Sequence, residues 1–188
     1  MATQEEISEE VRQLKRTLRD LAGLSMLPAA WIGYEPEAIA DSLADVLMRT
    51  LALDLIYIRL QATAKGDFVE VVYGSDQTDV QAEVVYQALA PWVDADSVDL
   101  PASIAIANPV GAGRLRIAVR RFGDTGQLGV MVAGSRRPDF PAEADCLLLG
   151  VAANQTAVVI QRKHDSSLAR AAFSSSVCSR VFTRHLNA

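Results

Sequence analysis

The stretch RLRIAVRRFGDTGQLGVMVA, residues 114–133, holds the pattern that decides the fold of this chain. Apolar side chains and arginines alternate from Arg114 to Arg121, which is typical of a strand with one buried face. Gly123–Gly126 favours a tight turn, and Leu128–Ala133 reads as the returning strand. The stretch therefore predicts an antiparallel hairpin. Its first strand has an apolar face of Leu115, Ile117 and Val119 and an arginine face of Arg114, Arg116 and Arg120.

A second hairpin is predicted nearer the N-terminus, where the strands Leu53–Leu60 and Phe68–Tyr73 flank the turn Ala64–Asp67. Because hairpins dominate and helices do not alternate with strands, we predict an α+β fold with an antiparallel sheet and helices grouped on one face. The remaining predicted elements are an N-terminal helix ended by Gly23 and Pro28, a helix from Pro36, a helix Asp76–Leu89 ended by Pro91, a weak strand Ser103–Ala107, a helix from Pro141 to about His164, and a frayed or disordered polar tail.

The first helix carries a narrow apolar stripe whose spacings alternate between four and three residues. This spacing is typical of a short coiled coil, and it favours pairing with another chain over packing on the helix's own domain. The last helix has a second stripe of the same spacing, in which the polar Asn154 would fix the register. We therefore predict a parallel homodimer formed through a four-helix bundle. The candidate interface residues are Ile7, Val11, Leu14, Leu18, Leu21, Val151, Asn154 and Val158.

Composition excludes several classes of protein. Hydrophobic residues make up 50% of the chain and charged residues 22%, which is enough for a packed core and argues against disorder. The net charge of -5 disfavours a basic nucleic-acid-binding protein. Apolar runs are interrupted by charged or polar residues well before ~20 residues, so we expect no membrane span. The charged N-terminus is unlike a signal peptide, and two isolated cysteines fit a reducing, cytoplasmic setting.

Motifs for catalysis and metal binding are missing from the sequence. The two histidines, His164 and His185, lie at or beyond the end of the last predicted helix. This position argues against a histidine-based catalytic, metal or haem site in the core. Asp94, Asp96 and Asp99 form an acidic cluster, for which solvated loop carboxylates are favoured over a metal site. We therefore expect a domain that is not an enzyme and holds no metal.

The last predicted helix and the segment before it carry the most recognisable motif of the sequence. In RRPDFPAE, residues 136–143, an aromatic residue follows a loop and precedes the helix. In LLLGVAANQTAVVIQ, residues 147–161, Ala153, Gln155 and Ala157 form an A-x-Q-x-A core. Together these features resemble the C-terminal signature of a GAF domain, in which this core belongs to the last helix.

Two strands extend the resemblance to GAF domains. Leu53–Leu60, with Asp54 and Tyr57, is similar to the first strand of the family, and Leu128–Ser135 is similar to its closing strand. Residues 17–163 as a whole look like the GAF domains that precede PAS and kinase modules in bacterial sensor histidine kinases.

The resemblance implies a fold, a domain division and a function. The fold would be a five- to six-stranded antiparallel sheet of strand order 2-1-5-4-3, with the N- and C-terminal helices on one face and a pocket on the other. A signalling helix would occupy residues 1–24, the GAF domain 25–163 and a polar extension 164–188. The implied function is non-catalytic signal transduction in a two-component system. The domain would bind a small molecule, dimerise, or both, and pass a signal to a histidine-kinase-type output domain.

The sequence departs from the best-known ligand sites of the family. Cys146 lies inside the last helix and Cys178 in the tail, so neither is placed as a bilin-attachment cysteine. The N-K-x-F-D-E pattern of cyclic-nucleotide GAF domains is missing, and no cofactor is expected. One alternative is a structural dimerisation module whose pocket is filled by its own side chains. Another is an enzyme similar to the GAF-like methionine sulfoxide reductases, which need cysteines at the pocket.

Alternation along the first strand suggests which residues would line a pocket for a small molecule. Ile56, Ile58 and Leu60 form an aliphatic face suited to packing on helices, so Tyr57 and Arg59 belong to the other face. For each aromatic candidate, core packing is the competing explanation. The candidate ligand-binding residues are Tyr57, Arg59, Tyr73, Trp92, Arg116, Arg120, Trp31 and Phe122.

Overall fold

A five-stranded antiparallel sheet lies at the centre of the computed structural model, which describes residues 4–64, 66–75, 81–95, 101–123 and 126–184. Across the sheet the strand order is β2-β1-β5-β4-β3, and each neighbouring pair is antiparallel. Both predicted hairpins form, and the strand order is the one that the resemblance to GAF domains implies. The strands are β1 (Leu55–Gln61), β2 (Phe68–Gly74), β3 (Ile104–Ala107), β4 (Arg114–Phe122) and β5 (Gly129–Ser135).

Four helices occur in the described residues. The second of them begins at Pro36, as predicted, because the fixed φ of proline suits the first helical turn. The helices are α1 (Gln4–Ala30), α2 (Pro36–Thr50), α3 (Ala82–Val93) and α4 (Glu143–Arg184).

Alternation along β1 divides the core into two clusters, one on each side of the sheet. Ile56, Ile58 and Leu60 are fully buried in a cluster that also contains residues of α1, α2 and α4. Leu55 and Tyr57 are fully buried in a second cluster, which contains residues of α3. The predicted alternation of β1 is therefore confirmed. We call the two sides of the sheet the helical face and the α3 face.

The helices do not all lie on one side of the sheet. The prediction that the N- and C-terminal helices share a face is confirmed, since α1 and α4 both pack on the helical face. The broader expectation that the helices would all group there is wrong. Val85, Leu89 and Val93 give α3 a buried stripe of its own, and this stripe packs on the opposite side of the sheet.

Helices α1 and α4 lie side by side and run in the same direction. At one end, Thr17 of α1 lines the same cavity as Leu148, near the start of α4. At the other end, Trp31 lines a second cavity together with Lys163, twenty residues into α4. The Lys163 ammonium also donates a hydrogen bond to the carbonyl of Tyr34. The early part of each helix thus meets the early part of the other.

The predicted end of the first helix is wrong, because α1 continues through Gly23 and Pro28 to Ala30. A proline in the last turn removes a single backbone hydrogen bond. Leu24 and Trp31 flank this turn and are both 1% exposed, so packing on the helical face outweighs the local breaking signals.

The predicted bounds of the third helix also differ from those observed. The proposed start at Asp76 lies outside the described residues, and α3 begins at Ala82. Pro91 does not end the helix, which runs on to Val93. Val93 is 4% exposed in the cluster on the α3 face, so the turn that contains the proline is fixed by burial.

Helix α4 continues well past the predicted end near His164 and runs to Arg184. The expectation of a frayed helix or disorder after His164 remains a prediction, since a helix to Arg184 is compatible with a frayed helix, and residues 185–188 lie outside the described part. Ser166 and Ser167 donate hydrogen bonds to carbonyls one turn earlier, at 2.8 and 2.9 Å, so these polar side chains are satisfied within the helix. The predicted domain boundaries at residues 24 and 163 each fall inside a helix, because α1 and α4 run through them without interruption. The division of the chain at these residues remains a prediction.

One stretch of α4, Glu143–Ala169, is long and apolar enough to cross a membrane by length and composition, with a mean hydropathy of 1.3. The core helix of a folded domain passes the same test. Leu149, Ala152 and Ile160 of this stretch are fully buried against the helical face. That this chain has no membrane span remains a prediction.

Candidate functional site

The α3 face carries a group of charged and aromatic side chains around Arg59 of β1. The Arg59 guanidinium lies 3.5 Å from Glu70 Oε1 and 3.6 Å from Asp94 Oδ1. It also lies over the rings of Phe68 and Tyr86, at 4.7 and 5.5 Å from their centroids. The register of β1 against β2 causes the first of these contacts, because it sets Arg59 opposite Glu70. We call Arg59, Phe68, Glu70, Tyr86 and Asp94 the Arg59 cluster.

The members of the Arg59 cluster attract one another by charge, although the Arg59 Nε atom has no hydrogen-bond partner among the described residues. The side chains of Arg59 and Glu70 are 29% and 30% exposed, so solvent screens their attraction to about 1 kcal/mol or less. The Tyr86 hydroxyl donates a hydrogen bond of 2.7 Å to Asp94 Oδ2, and this bond raises the pKa of Tyr86. An anionic ligand would have to displace the two carboxylates to reach the guanidinium.

Tyr57 lies behind the Arg59 cluster and is fully buried. Its ring centroid is 6.5 Å from that of Tyr86. Burial is the largest cause of a raised pKa at Tyr57, and the nearby Glu70 carboxylate raises the pKa further. Glu70 raises this pKa by hydrogen bonding as well as by its charge, yet the Tyr57 hydroxyl makes no hydrogen bond of ordinary geometry in the part of the chain that the structure describes. A buried polar group left unpaired costs about 1–3 kcal/mol, so this hydroxyl marks a place where a ligand atom or a water would be favoured.

Arg121 is a residue of the α3 face that sequence reasoning missed. Its guanidinium donates hydrogen bonds to the carbonyls of Val93, at 3.4 Å, and of Ala95. These contacts tie the end of α3 to β4. The alternation of β4 could have placed Arg121 on this face, because it lies an even number of residues from Ile117 and Val119 and therefore shares their side of the strand.

The structure brings three of the eight candidate ligand-binding residues together. Tyr57, Arg59 and Trp92 all belong to the α3 face, where Trp92 packs against the buried cluster. Their role in ligand binding remains a prediction. The other five candidates lie on the helical face or are packed beneath it; these are Trp31, Tyr73, Arg116, Arg120 and Phe122. The eight candidates therefore do not line a single pocket.

Strand pairing explains why the two arginines of β4 are placed apart from Tyr57. Val132 of β5 is the partner of both Tyr57 and Val119, so these three residues share a face. Arg120 is next to Val119 and points to the opposite face, as does Arg116.

The three aromatic residues that lie away from Tyr57 have other partners. Tyr73 pairs with Ile56, and its hydroxyl lies 3.4 Å from Asp41 Oδ1 on α2. Trp31 is buried and donates a hydrogen bond of 3.0 Å from its indole to Ser42 Oγ. Phe122 is fully buried in the same cluster, so core packing accounts for both rings.

The predicted dimer interface consists largely of side chains that are exposed in this single chain. Leu21 and Val151 are half-buried against the core of the domain, and Asn154 is exposed. The side chain of Ile7 lies outside the described part. The exposed apolar residues of the predicted interface are Val11 at 45%, Leu14 at 60%, Leu18 at 57% and Val158 at 45%.

Carboxylates do not cluster into a metal site in the described part of the chain. No group of three or more His, Cys, Asp or Glu side chains there is arranged to hold a metal ion. Of the acidic loop residues, Asp94 belongs to the Arg59 cluster, while Asp96 and Asp99 lie outside the described residues.

Comparison with known proteins identifies the fold. No protein-family model matches the sequence, and no curated protein matches it. A solved structure described as the "GAF domain of a putative sensor histidine kinase from Pseudomonas syringae pv. tomato" is similar, with a TM-score of 0.56 and 17% sequence identity. The match covers 87% of this chain and 99% of the other. The chain therefore has the α+β fold of a GAF domain, and the resemblance seen in the sequence is confirmed at the level of the fold.

Proposed function

We propose that this chain is a non-catalytic sensory or regulatory module that acts as a homodimer and passes its state to a histidine-kinase-type output domain. The observation that carries the proposal is the exposed apolar stripe on α1 and α4. Val11, Leu14 and Leu18 on α1, with Leu147 and Val158 on α4, are each 45–60% exposed. Water-exposed leucines at coiled-coil spacing indicate a surface that is buried by a partner.

A second copy of this chain is the partner that the stripe fits best. The two helices lie side by side and in parallel, so a two-fold axis along them would bring four helices into one bundle. Asn154 is an exposed polar residue within the α4 stripe, and its pairing with the equivalent residue would set the register.

Signal transfer in such a dimer follows from the course of the chain. Helix α1 enters along one side of the sheet, and α4 leaves past the opposite end of the same bundle. A small shift or rotation of these helices, biased by the state of the sheet, would reach a domain attached to α4. The similar solved structure is described as part of a putative sensor histidine kinase, which supports a kinase-type output.

The structure supports two versions of this module. In the sensory version, a small molecule binds on the α3 face and pairs with the buried Tyr57 hydroxyl. In the structural version, the pocket is closed and the Arg59 cluster fills it with the chain's own side chains. The unpartnered hydroxyl favours the sensory version, and the mutual pairing of Arg59, Glu70 and Asp94 favours the structural one.

Native mass spectrometry of the freshly purified chain tests the proposal. We expect a dimer, and we expect Leu14→Glu and Val158→Glu to shift the mass to that of a monomer, because each buries a charge at the dimer axis. Val84→Glu is the matched control, since Val84 is an equally exposed helical valine on α3, at 54%.

The outcomes separate the versions of the proposed function. Extra mass retained on the dimer supports the sensory version and gives the mass of the ligand. A dimer without extra mass favours the structural version. A monomeric wild-type chain, or a Leu14→Glu variant that stays dimeric, would contradict the pairing through α1 and α4.

A further inference from the structure

A cavity of about 650 Å³ lies at the end of the bundle, away from the Arg59 cluster. Its walls come from the end of α1, the loop before α2, the turn after β1 and the middle of α4. The volume is within the range of sites that bind small organic molecules.

Two cationic side chains lie on the α4 wall of this cavity. They are Arg162 and Lys163, which directly precede His164, and all three residues line it. The Lys163 ammonium is held by the carbonyl of Tyr34 and lies 4.0 Å from Glu35. Glu35 is the acidic residue among the lining side chains and is 82% exposed, so it faces mostly water.

His164 supplies a second, independent observation that points to a ligand. Its side chain belongs to a residue only 6% exposed, and it forms part of the cavity wall. Its Nε2 atom is buried and has no hydrogen-bond partner among the described residues. A buried ring nitrogen without a partner is costly, and an oxygen atom in the cavity would relieve that cost.

Apolar side chains also line the cavity. Pro28 is at the end of α1, Trp31 and Ile32 directly follow it, and Val159 lies one turn before Lys163 on α4; Ile32 is 81% exposed at the edge. Trp31 is 1% exposed and its indole nitrogen is paired with Ser42, so Ile32 and Val159, rather than Trp31, offer apolar surface to a ligand. A molecule that fills this cavity would therefore have one anionic end and one apolar end.

We propose that this cavity binds a small organic anion, a carboxylate or phosphate monoester joined to an aromatic or aliphatic body. His164 and Arg162 contact the anionic group, and Ile32 with Val159 contacts the apolar body. The site lies where α1, α2 and α4 meet, so a bound molecule joins the bundle to the turn after β1. The inference depends neither on dimerisation nor on an open pocket at the Arg59 cluster.

Nuclear magnetic resonance with ¹³C-labelled histidine tests the site in the full chain. The chain has two histidines, and a His185→Gln variant assigns the signal of His164. Phenyl phosphate is the probe, with inorganic phosphate and benzyl alcohol as the anionic and apolar halves tested separately. We expect a saturable shift of the His164 signal with phenyl phosphate, and much weaker binding of either half.

Variants locate the binding to this cavity. Arg162 is exposed, so Arg162→Gln should fold normally and weaken phenyl phosphate binding by about threefold. Arg114→Gln, at an exposed position on β4, is the matched control and should leave binding unchanged. In a Trp92→Phe background, which leaves Trp31 as the single tryptophan, His164→Gln should remove a saturable change in fluorescence on addition of phenyl phosphate, provided that its circular dichroism matches that of the background chain.

Three results would overturn the proposal. The first is a His164 signal that does not move, or that moves without saturating. The second is equal binding by the wild type and Arg162→Gln. The third is a response to benzyl alcohol or inorganic phosphate as strong as that to phenyl phosphate, since the site would then not require both ends of the molecule.

Discussion

Tyr57 is the single residue at which the two versions of the proposed function differ most. It is fully buried beneath the Arg59 cluster, and its hydroxyl finds no partner in the described part of the chain. In a closed pocket this hydroxyl would be a standing cost to stability. In an open pocket a ligand or a water would pair with it.

Tyr57→Phe separates these cases by measurement of the free energy of unfolding in urea. If the pocket is closed, removal of the unpaired hydroxyl should raise this free energy by about 1 kcal/mol at neutral pH. If the variant is less stable than the wild type, the hydroxyl has a partner in solution and the sensory version gains support. Tyr73→Phe is the control, because the Tyr73 side chain is exposed and its hydroxyl lies on the helical face.

The same variant changes how stability depends on pH. The folded state raises the pKa of Tyr57 above the ordinary value of 10.0, so the neutral phenol is favoured by folding. This contribution is complete below the ordinary pKa and is lost as the pH rises above it, because the unfolded chain then releases a proton that the folded chain keeps. The wild type should therefore lose stability above pH 10.0, and Tyr57→Phe should lose less.

At the scale of elements, α1 shows how packing overrides a local signal. Gly23 lies inside this helix and is exposed, and no atom lies within 4 Å of the position that its Cβ would occupy. Gly23→Ala should therefore raise the free energy of unfolding by about 0.5–1 kcal/mol, because alanine loses less backbone freedom. Thermal unfolding followed by circular dichroism measures the change. A loss of stability would mean that the helix breaks at Gly23, as the sequence alone predicts.

The strands were predictable because their pattern is local. Each strand of a half-buried sheet carries its own alternation, and β1, β2, β4 and β5 were placed to within two residues by that pattern and by the turns between them. The face on which Arg116 and Arg120 lie was not predictable in this way. It depends on the register of β4 against β5 and of β5 against β1, and a shift of one residue would exchange the faces.

Helix lengths were predicted less well, for a different reason. Pro28 and Pro91 each fall in a last turn, where the proline removes one backbone hydrogen bond and crowds the carbonyl four residues earlier, and burial of neighbouring side chains compensates for this cost. The serines of α4 favour loops in general, but Ser166 and Ser167 bond to carbonyls of their own helix. Burial around a proline and hydrogen bonding of a serine within its own helix both depend on where the residue lies in the helix, so residue type alone does not predict them.

At the scale of the whole molecule, the Arg59 cluster could be predicted only in part. Tyr57 and Arg59 were identified because they occupy one strand. Phe68 and Glu70 come from β2, and Tyr86 and Asp94 from α3 and the residue after it, so the cluster exists only once three segments have come together. Arg121 joins the same face through β4.

Parallel pairing of two whole chains makes a geometric prediction at Asn154. In a parallel dimer, equivalent residues of the α4 stripe face each other across the axis. We therefore expect Asn154→Cys, in a background with Cys146→Ser and Cys178→Ser, to form a disulfide-linked dimer under mild oxidation. Non-reducing gel electrophoresis measures the linked fraction.

Ala88→Cys is the control for this experiment. Ala88 is also exposed and helical, but it lies on α3, on the other side of the sheet from the stripe. Equal crosslinking at both positions would indicate random collision, and crosslinking at position 88 alone would place the interface on the α3 face.

The parallel course of α1 and α4 has a consequence for how such a module can be joined to others. Because α1 and α4 are parallel, the chain leaves the domain in the same direction in which it entered, and the domain lies beside one continuous helical axis. Several domains of this fold can therefore follow one another in tandem without a change in the direction of the helical axis. At each connection between two domains, the apolar stripes must point to the same side of that axis, and the stripe repeats every seven residues. Spacers that differ by whole heptads would leave the module interchangeable.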